Sequence, residues 1–283
     1  MTPPSDIQMT VKRMGACLIL RRLDHQDSSG DARVMPAEFI LVDISNSFTK
    51  VAFSSRERLG RSFRLPTSEL TVASFRRNLR GRKARYTIVA SVVPPRNEVV
   101  MKALPQPICW VTHKIPLGVG VDYPKPETIG ADRLANAAAA ATLYGSPSIV
   151  VDFGTAVTFD VISPQGTYVG GVIAPGLGAM TDYLHRRTAL LPRVKLREPH
   201  RAIGRNTAEA MRVGAVYGYR GLVSEILRQL VKEIPSKHHT NLIATGGDAK
   251  LIAGSTSIFS VVAPALTLEG LRLIGCRNFP ARN

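Results

Sequence analysis

The hydrophobic pattern of the chain becomes regular at residue 38, where a mainly apolar run is followed by a short polar turn and a second apolar run. Residues 38–44 carry Asp43 near the end of the first run, Asn46 and Ser47 form the turn, and residues 48–53 follow. Apolar runs of this length, separated by turn-forming residues, predict the two strands of a β-hairpin.

Similar signals continue along the chain and predict strands that alternate with helices as far as Gly145. The predicted elements are a helix at 66–79, a strand at 86–93, a helix at 96–104, a strand at 108–112 and a long helix at 131–144.

A second hairpin signal begins at residue 149 and repeats the layout of the first. The segments ILVDISNSFTKVAF and IVVDFGTAVTFDVI share an apolar run, an Asp at its end and a Thr six residues later, which is Thr49 or Thr158. The repeat indicates a duplication, and strands alternating with helices indicate an α/β fold. The later predicted elements are strands at 168–172 and 242–245 and helices after Gly176, at 207–231 and at 266–276.

The pattern divides the chain into three parts. Residues 1–36 mix Pro, Ser, Asp and Arg, and we expect a loosely ordered extension there. Residues 37–145 and 146–283 are expected to form two similar α/β domains.

The composition bears on the cell compartment of the protein and on the kinds of partner it binds. In 283 residues, no apolar run approaches the roughly 20 that a membrane helix needs, so we expect no membrane span. Three cysteines, Cys17, Cys109 and Cys276, have no metal-ligand spacing, and this odd number favours the cytosol. The formal charge of +16 would attract any polyanion, including nucleic acid and nucleotide triphosphates. The basic cluster at 76–85 lies at a helix end without interleaved aromatic residues, so it predicts a solvated face and nucleic acid is not expected as a partner.

The chemistry is concentrated in the two turns that follow Asp43 and Asp152. Small residues in such a turn let phosphate oxygens reach backbone N–H groups, and the Asp can hold Mg²⁺ through its waters. One such turn is commonly structural, but two at matching places in a repeated frame favour a nucleotide clamp. A third segment, residues 245–248 with Gly246 and Gly247, follows another predicted strand and would suit adenosine, although an ordinary strand-to-helix turn explains it equally well.

A further motif lies at the start of the helix predicted at 131–144. Asp132 and Arg133 occupy its first turn, where adjacent side chains diverge by about 100° and can touch different parts of one ligand. The helix dipole accounts for Asp132 but not for Arg133. An acceptor with a hydroxyl and a carboxylate would use both, because Asp132 could take the hydroxyl proton and Arg133 could bind the acid.

Together these motifs make the chain resemble the type III pantothenate kinases, of the superfamily of sugar kinases, heat-shock chaperones and actin. The resemblance spans nearly all of residues 40–278, and it implies a duplicated ribonuclease-H-like (actin-like ATPase) fold with a nucleotide cleft between two domains. The matching stretches are residues 43–50, 90–94, 123–136, 151–160, 170–176, 188–192, 204–207 and 245–247.

The resemblance implies ATP-dependent phosphorylation of the primary hydroxyl of pantothenate, the first step towards coenzyme A, by a cytoplasmic homodimer. Asp132 would be the catalytic base, with Mg²⁺ beside Asp43 and a monovalent cation, K⁺ or NH₄⁺, beside Asp152. The residues implied to bind ATP are Asp43, Ser45, Asn46, Ser47, Lys50, Gly154, Thr155, Gly246 and Gly247. Those implied to bind pantothenate are Tyr123, Gly130, Ala131, Arg133 and Thr207, the last reaching the pocket of the partner subunit.

The chain departs from the family in the first turn, which is usually Asp-x-Gly-Asn-Thr and here has Ser45 in place of Gly. If position 45 needs a positive φ or the closest approach of a phosphate, the serine would cost about 1–2 kcal/mol or weaken ATP binding. This departure and the high charge keep open an alternative, in which a catalytically weak or inactive homologue acts as a regulatory, transcription-accessory protein. A kinase of the superfamily acting on a sugar is a third hypothesis.

Overall fold

The first sheet is built around the predicted hairpin. The computed structural model describes residues 37–104, 107–234 and 239–281, so the predicted extension at 1–36 lies outside the described residues. The sheet has the order β3-β2-β1-β4-β5, in which β2 is antiparallel to both neighbours and β1, β4 and β5 are parallel. Its strands are β1 (Phe39–Ile44), β2 (Phe48–Ser54), β3 (Leu59–Pro66), β4 (Tyr86–Ser91) and β5 (Ile108–Trp110).

The second sheet repeats this arrangement. Its order is β11-β10-β7-β8-β9-β6. The series β9-β8-β7-β10-β11 has the same pairing directions as β3-β2-β1-β4-β5 of the first sheet. The duplicated α/β fold is therefore confirmed. The strands are β6 (Gly120–Val121), β7 (Ser148–Phe153), β8 (Ala156–Ile162), β9 (Thr167–Pro175), β10 (Asn241–Gly246) and β11 (Val261–Val262).

The described part of the chain contains seven α-helices, of which five lie close to predicted helices, one begins later than predicted and one was not predicted. They are α1 (Val72–Leu79), α2 (Asn97–Ala103), α3 (Ala131–Leu143), α4 (Leu177–Arg187), α5 (Thr207–Glu233), α6 (Ala249–Ala253) and α7 (Leu266–Asn278). None of these helices is both long and apolar enough to cross a membrane.

The helices α3 and α7 pack against each other and lie in a core that both sheets share. α3 contacts β7 and β8 of the second sheet, whereas α7 contacts β1 and β4 of the first. Their backbones approach closely at Gly270, where a Cβ would overlap the carbonyl oxygen of Ala135. Phe39 of β1 and Val150 of β7 belong to this same buried cluster. The strand β6 precedes residue 145 but pairs with β9 of the second sheet. The division of the chain at residue 145 stays a prediction.

Two sequence expectations were wrong in detail. The helix predicted from residue 66 begins only at Val72, because β3 extends to Pro66, a short 3-10 turn occupies Thr67–Glu69 and Thr71 caps the helix. The strand β3 was not predicted, because it lies at the edge of the sheet and has no buried residue. Arg61 and Arg64 interrupt the alternation of apolar and polar residues that would indicate a strand.

The second error concerns the two hairpins, whose registers differ by one residue. Lys50 lies opposite Asp43 in the first hairpin, whereas Thr158 lies opposite Asp152 in the second. The first turn is one residue longer, so Thr49 and Thr158 are not structural equivalents although each follows its Asp by six positions.

Candidate active site

The two predicted phosphate turns meet. The turn between β1 and β2 places the Ser47 Oγ atom 2.7 Å from the Thr155 Oγ1 atom of the turn between β7 and β8. Both hydroxyls are exposed, and each turn belongs to a different sheet. The turns therefore border one common site.

Asp43 lies beneath the first turn and is 1% exposed. Ser45 Oγ donates a hydrogen bond of 2.8 Å to its Oδ1 atom, and Lys50 Nζ lies 3.4 Å from its Oδ2 atom. Arg80 is the one described non-glycine residue with a positive φ, so the backbone at Ser45 does not require glycine. The serine is tolerated here and gains a hydrogen bond to the carboxylate.

Two threonines support the first turn from below. Thr67 Oγ1 donates a hydrogen bond of 2.7 Å to the carbonyl oxygen of Ser45, and it lies 3.1 Å from Thr49 Oγ1. Both threonines are buried. Satisfied buried hydroxyls of this kind hold a loop in one conformation.

The second turn is held by Gly176, the residue before α4. Gly176 N donates a hydrogen bond of 3.1 Å to the carbonyl oxygen of Thr155. A Cβ at position 176 would overlap the carbonyl oxygens of both Gly154 and Thr155. Glycine is therefore required for α4 to approach this turn.

Asp152 is fixed by a buried polar relay. Asn136 Nδ2 donates a hydrogen bond of 3.1 Å to Asp152 Oδ2, and Asn136 Oδ1 accepts one of 2.8 Å from Thr267 Oγ1. Burial raises the pKa of Asp152, while Lys50 and the Asn136 hydrogen bond oppose that rise. Gly246 adjoins this carboxylate: its φ is +94°, and a Cβ there would lie 2.5 Å from Asp152 Oδ1.

Asp132 lies within the electrostatic reach of both turn carboxylates. Burial raises its pKa to about 6, repulsion from Asp43 and then Asp152 adds to the rise, and the N–H of Arg133 opposes it. That N–H donates a hydrogen bond of 2.8 Å to Asp132 Oδ1. Gly130 leaves room for this oxygen, because a Cβ at position 130 would lie 2.5 Å from it. Raised carboxylate pKa values of this kind are characteristic of general bases.

Arg133, next to Asp132, is directed by the second sheet. Its Nε donates a hydrogen bond of 2.6 Å to Asp160 Oδ1, and its Cζ lies 5.7 Å from the centre of the Tyr168 ring. Tyr123 meets that ring edge-on, with centroids 6.1 Å apart. Two of the residues expected to bind the acceptor thus lie around one aromatic side chain.

The comparison with protein families agrees with this geometry. A family model described as type III pantothenate kinase matches residues 39–229. The chain belongs to the type III pantothenate kinase family. Two proteins named type III pantothenate kinase are similar to it. That of Akkermansia muciniphila is 50% identical and covers 85% of this chain and 99% of its own, and that of Methylacidiphilum infernorum is 42% identical and covers 83% and 87%.

Solved structures of more distant proteins agree with the duplicated ribonuclease-H-like fold of this pantothenate kinase family member. A putative 2-dehydro-3-deoxygalactonokinase of Sinorhizobium meliloti has a TM-score of 0.55, is 14% identical and covers 87% of this chain and 98% of its own. A putative Baf family transcriptional activator of Campylobacter jejuni has a TM-score of 0.54, is 20% identical and covers 83% and 96%. At such identities the likeness concerns the fold alone.

Four predicted site residues of this family member, Thr207, Ala131, Asn46 and Gly247, form no hydrogen bond or ion pair with the three carboxylates among the described residues. Thr207 is exposed at the start of α5, and no hydrogen bond or ion pair of the described residues joins it to Asp132. The side chain of Ala131 is buried in the shared core. Asn46 and Gly247 are exposed, at the first turn and after β10 respectively.

Sequence reasoning assigned no role to Asn136, Asp160 or Thr267. Asn136 follows Asp132 by four residues and so lies on the same face of α3, which is a usable signal. Asp160 ends one of the matching stretches. Thr267 is 131 residues from Asn136 and carries no local signal of its role.

The carboxylates are compatible with a metal that is shared with the substrate. In the described ranges, no group of three or more His, Cys, Asp and Glu side chains is placed to hold a metal ion by itself. Mg²⁺ typically takes only one or two carboxylates and completes its shell with waters and substrate phosphates. Of the Asp43 carboxylate at the first turn, Oδ1 accepts the hydrogen bond from Ser45 and Oδ2 lies 3.4 Å from Lys50 Nζ.

Proposed function

We propose that this chain transfers the γ-phosphoryl group of ATP to the primary hydroxyl of pantothenate, the first step towards coenzyme A. The proposal follows from family membership and rests on one observation above all. The two turns meet at Ser47 and Thr155, and the carboxylates at both turns repel the Asp132 carboxylate, which adds to the effect of burial in raising its pKa to about 6.

In this proposal the turns hold the phosphates of ATP. Ser45, Ser47, Gly154 and Thr155 are small residues that would let phosphate oxygens approach the turns closely, and the exposed hydroxyls of Ser47 and Thr155 would contact them. Lys50 adds a positive charge beside Asp43. Mg²⁺, held by Asp43 and the phosphates, would neutralise charge on the transferring group. Gly246 and Gly247 follow β10 and would approach the adenosine.

The proton of the acceptor hydroxyl would pass to Asp132. A carboxylate with a pKa near 6 is mostly ionised at neutral pH, yet it is more basic than an ordinary Asp. Arg133, one residue further along α3, would bind the pantothenate carboxylate, with Tyr123 and Gly130 as neighbours. We also assign a monovalent cation, K⁺ or NH₄⁺, to the surroundings of Asp152.

A homodimer is part of the proposal. Large apolar side chains are exposed on β9, on α4 and before α5: Ile173 is 64%, Tyr183 65% and Ile203 79% exposed. We assign these side chains to the dimer interface, where a second copy would cover them. A second copy seated there would bring its Thr207 towards the acceptor pocket. A molecular mass twice that of the chain in light scattering is expected, and a monomer at working concentration would contradict the dimer.

The test is an ADP-release assay with ATP, Mg²⁺ and K⁺ and with pantothenate as the sole acceptor, on the wild type and on Asp132→Asn. We expect the variant to lose about 10²–10⁴-fold in kcat, while ATP still binds. No pantothenate-dependent turnover by the wild type would refute the proposal. Turnover with hexoses instead would indicate a sugar kinase.

The regulatory alternative has no observation in its favour. The likeness to a putative transcriptional activator is 20% in identity and concerns the fold alone. Ser45, the departure that kept this alternative open, has a permitted backbone conformation.

A further inference from the structure

Asp160 is a buried carboxylate to which the reaction gives no direct task. It lies in β8, opposite Val150 of β7 and Gly171 of β9, and is wholly inaccessible to solvent. Burial raises its pKa to about 7, against the opposing charge of Arg133. A carboxylate in such a place is costly unless something requires it.

Stability alone does not require it. A buried ion pair often contributes little to stability, because removing two charges from water offsets much of their attraction. Apolar residues of similar size frequently serve as well. The requirement has to come from what the ion pair positions, which is the guanidinium of Arg133.

Arg133 is held on one edge only. Its Nε donates to Asp160 Oδ1 at 2.6 Å and its Nη2 donates to the carbonyl oxygen of Phe159 at 3.3 Å. A guanidinium has five N–H donors, so the remaining ones stay available to a ligand. The arginine side chain keeps 14% of its surface exposed.

The neighbouring strand is shaped around this arginine. Gly171 of β9 has a φ of +157°, and a Cβ there would overlap the carbonyl oxygen of Phe159 and lie 3.1 Å from Arg133 Nη2. Below the guanidinium lies the Tyr168 ring, with the Cζ atom 5.7 Å from its centre. Asp160 and the Phe159 carbonyl therefore hold one edge of the guanidinium, and the Tyr168 ring lies against its face.

We infer that Asp160 is a positioning residue for the acceptor site: it anchors Arg133 so that the free edge of the guanidinium selects acceptors that carry a carboxylate. The inference rests on the proposed function. Directed, paired N–H donors recognise a planar carboxylate by geometry as well as by charge. Asp160 touches neither substrate, so its whole effect passes through Arg133.

A double-mutant cycle tests this. The proteins are the wild type, Asp160→Asn, Arg133→Met and the double variant, each assayed with pantothenate and with panthenol, in which a neutral alcohol replaces the carboxylate. Asp160→Asn should raise the KM for pantothenate about tenfold and leave kcat within about threefold. The KM values for ATP and for panthenol should stay within about twofold. In the Arg133→Met background, Asp160→Asn should add less than about twofold.

The matched control is Glu269→Gln, which removes the carboxylate from another mostly buried ion pair, Glu269 with Arg272 at 2.6 Å on α7. It should leave the KM for pantothenate unchanged. If Asp160→Asn does not fold, Arg133→Lys replaces it in the test. Lysine keeps the positive charge but lacks the paired N–H donors of the guanidinium, so the KM for pantothenate should still rise.

Three results would overturn the inference. The first is an equal change in the KM values for pantothenate and panthenol in Asp160→Asn. The second is additivity of the two single changes in the KM for pantothenate of the double variant. The third is an unchanged KM for pantothenate in Asp160→Asn or, if that variant does not fold, in Arg133→Lys. A wild type without pantothenate turnover refutes the proposed function instead, and the inference fails with it. A wild type that turns over while the cycle is additive refutes the inference alone.

Discussion

The relay from Thr267 through Asn136 to Asp152 predicts a large loss of stability when its central residue is replaced. Asn136 is 1% exposed and uses both ends of its amide. Leucine has the same branched arrangement of side-chain heavy atoms as asparagine, so Asn136→Leu removes the two hydrogen bonds and leaves no cavity.

The magnitude follows from the two groups left behind. Loss of a hydrogen bond to a charged carboxylate costs about 1.5–3 kcal/mol, and a stranded buried hydroxyl costs about 1–3 kcal/mol. Burial of the leucine offsets part of this, by about 1 kcal/mol. We therefore expect Asn136→Leu to lower the free energy of unfolding by about 3 kcal/mol.

Urea unfolding of four proteins checks this value. Besides the wild type and Asn136→Leu, the set contains Thr267→Val and the double variant. Thr267→Val alone should cost about 1 kcal/mol, and the double variant should cost at least 1 kcal/mol less than the sum of the single variants, since no hydroxyl is then stranded. Asn241→Leu, which removes one hydrogen bond to the carbonyl of Tyr144, is the control at about 1 kcal/mol.

Two outcomes would refute the reasoning. One is a free energy of unfolding for Asn136→Leu within about 0.5 kcal/mol of the wild type, which is the range of ordinary surface substitutions. The other is strict additivity of Asn136→Leu and Thr267→Val, because it would mean that the two side chains do not depend on each other.

Three further predictions concern the turns and the base. Because the proposed base Asp132 must be ionised and its pKa is raised to about 6, kcat/KM for pantothenate should fall roughly tenfold for each pH unit below that value, and a flat profile down to pH 5 would contradict its role. Gly246→Ala should destabilise the protein by about 2–4 kcal/mol and weaken ATP binding, since its φ is +94° and its Cβ would meet Asp152; Gly247→Ala, with open space around it, should cost about 1 kcal/mol or less. Ser45→Gly should not raise kcat/KM for ATP and should cost about 1 kcal/mol in unfolding free energy, and a large gain in activity would show that the hydroxyl obstructs the phosphates.

The repeated frame could be predicted from sequence because its signal is local. An apolar run, an Asp and a small-residue turn lie within 14 consecutive residues, and the chain presents them twice. The facing of the two turns follows from that repeat. The one-residue difference in hairpin register does not, because register depends on how many residues the turn itself takes up, which the spacing of Asp43 and Thr49 does not reveal.

The parts of the site that sequence reasoning missed are contacts between distant segments. Asp160 approaches Arg133 only when β8 passes beneath the first turn of α3, and Thr267 meets Asn136 only when α7 packs on α3. Polar residues in these elements look like ordinary helix and strand residues until the pairing is known. The raised pKa values of Asp132 and Asp160 depend on the same burial and were equally out of reach.

The crossing of α3 and α7 has a consequence for any attempt to divide the molecule. The helix α7 follows residue 145 in the chain but covers Phe39 and Ile88 of the first sheet. The helix α3 precedes residue 145 but contacts the second sheet. Severed at residue 145, each fragment would keep a sheet but lose a helix that shields it, and would present bare apolar strands to solvent. We therefore expect that neither repeat folds by itself. Activity from two separate fragments would require both to be synthesised together.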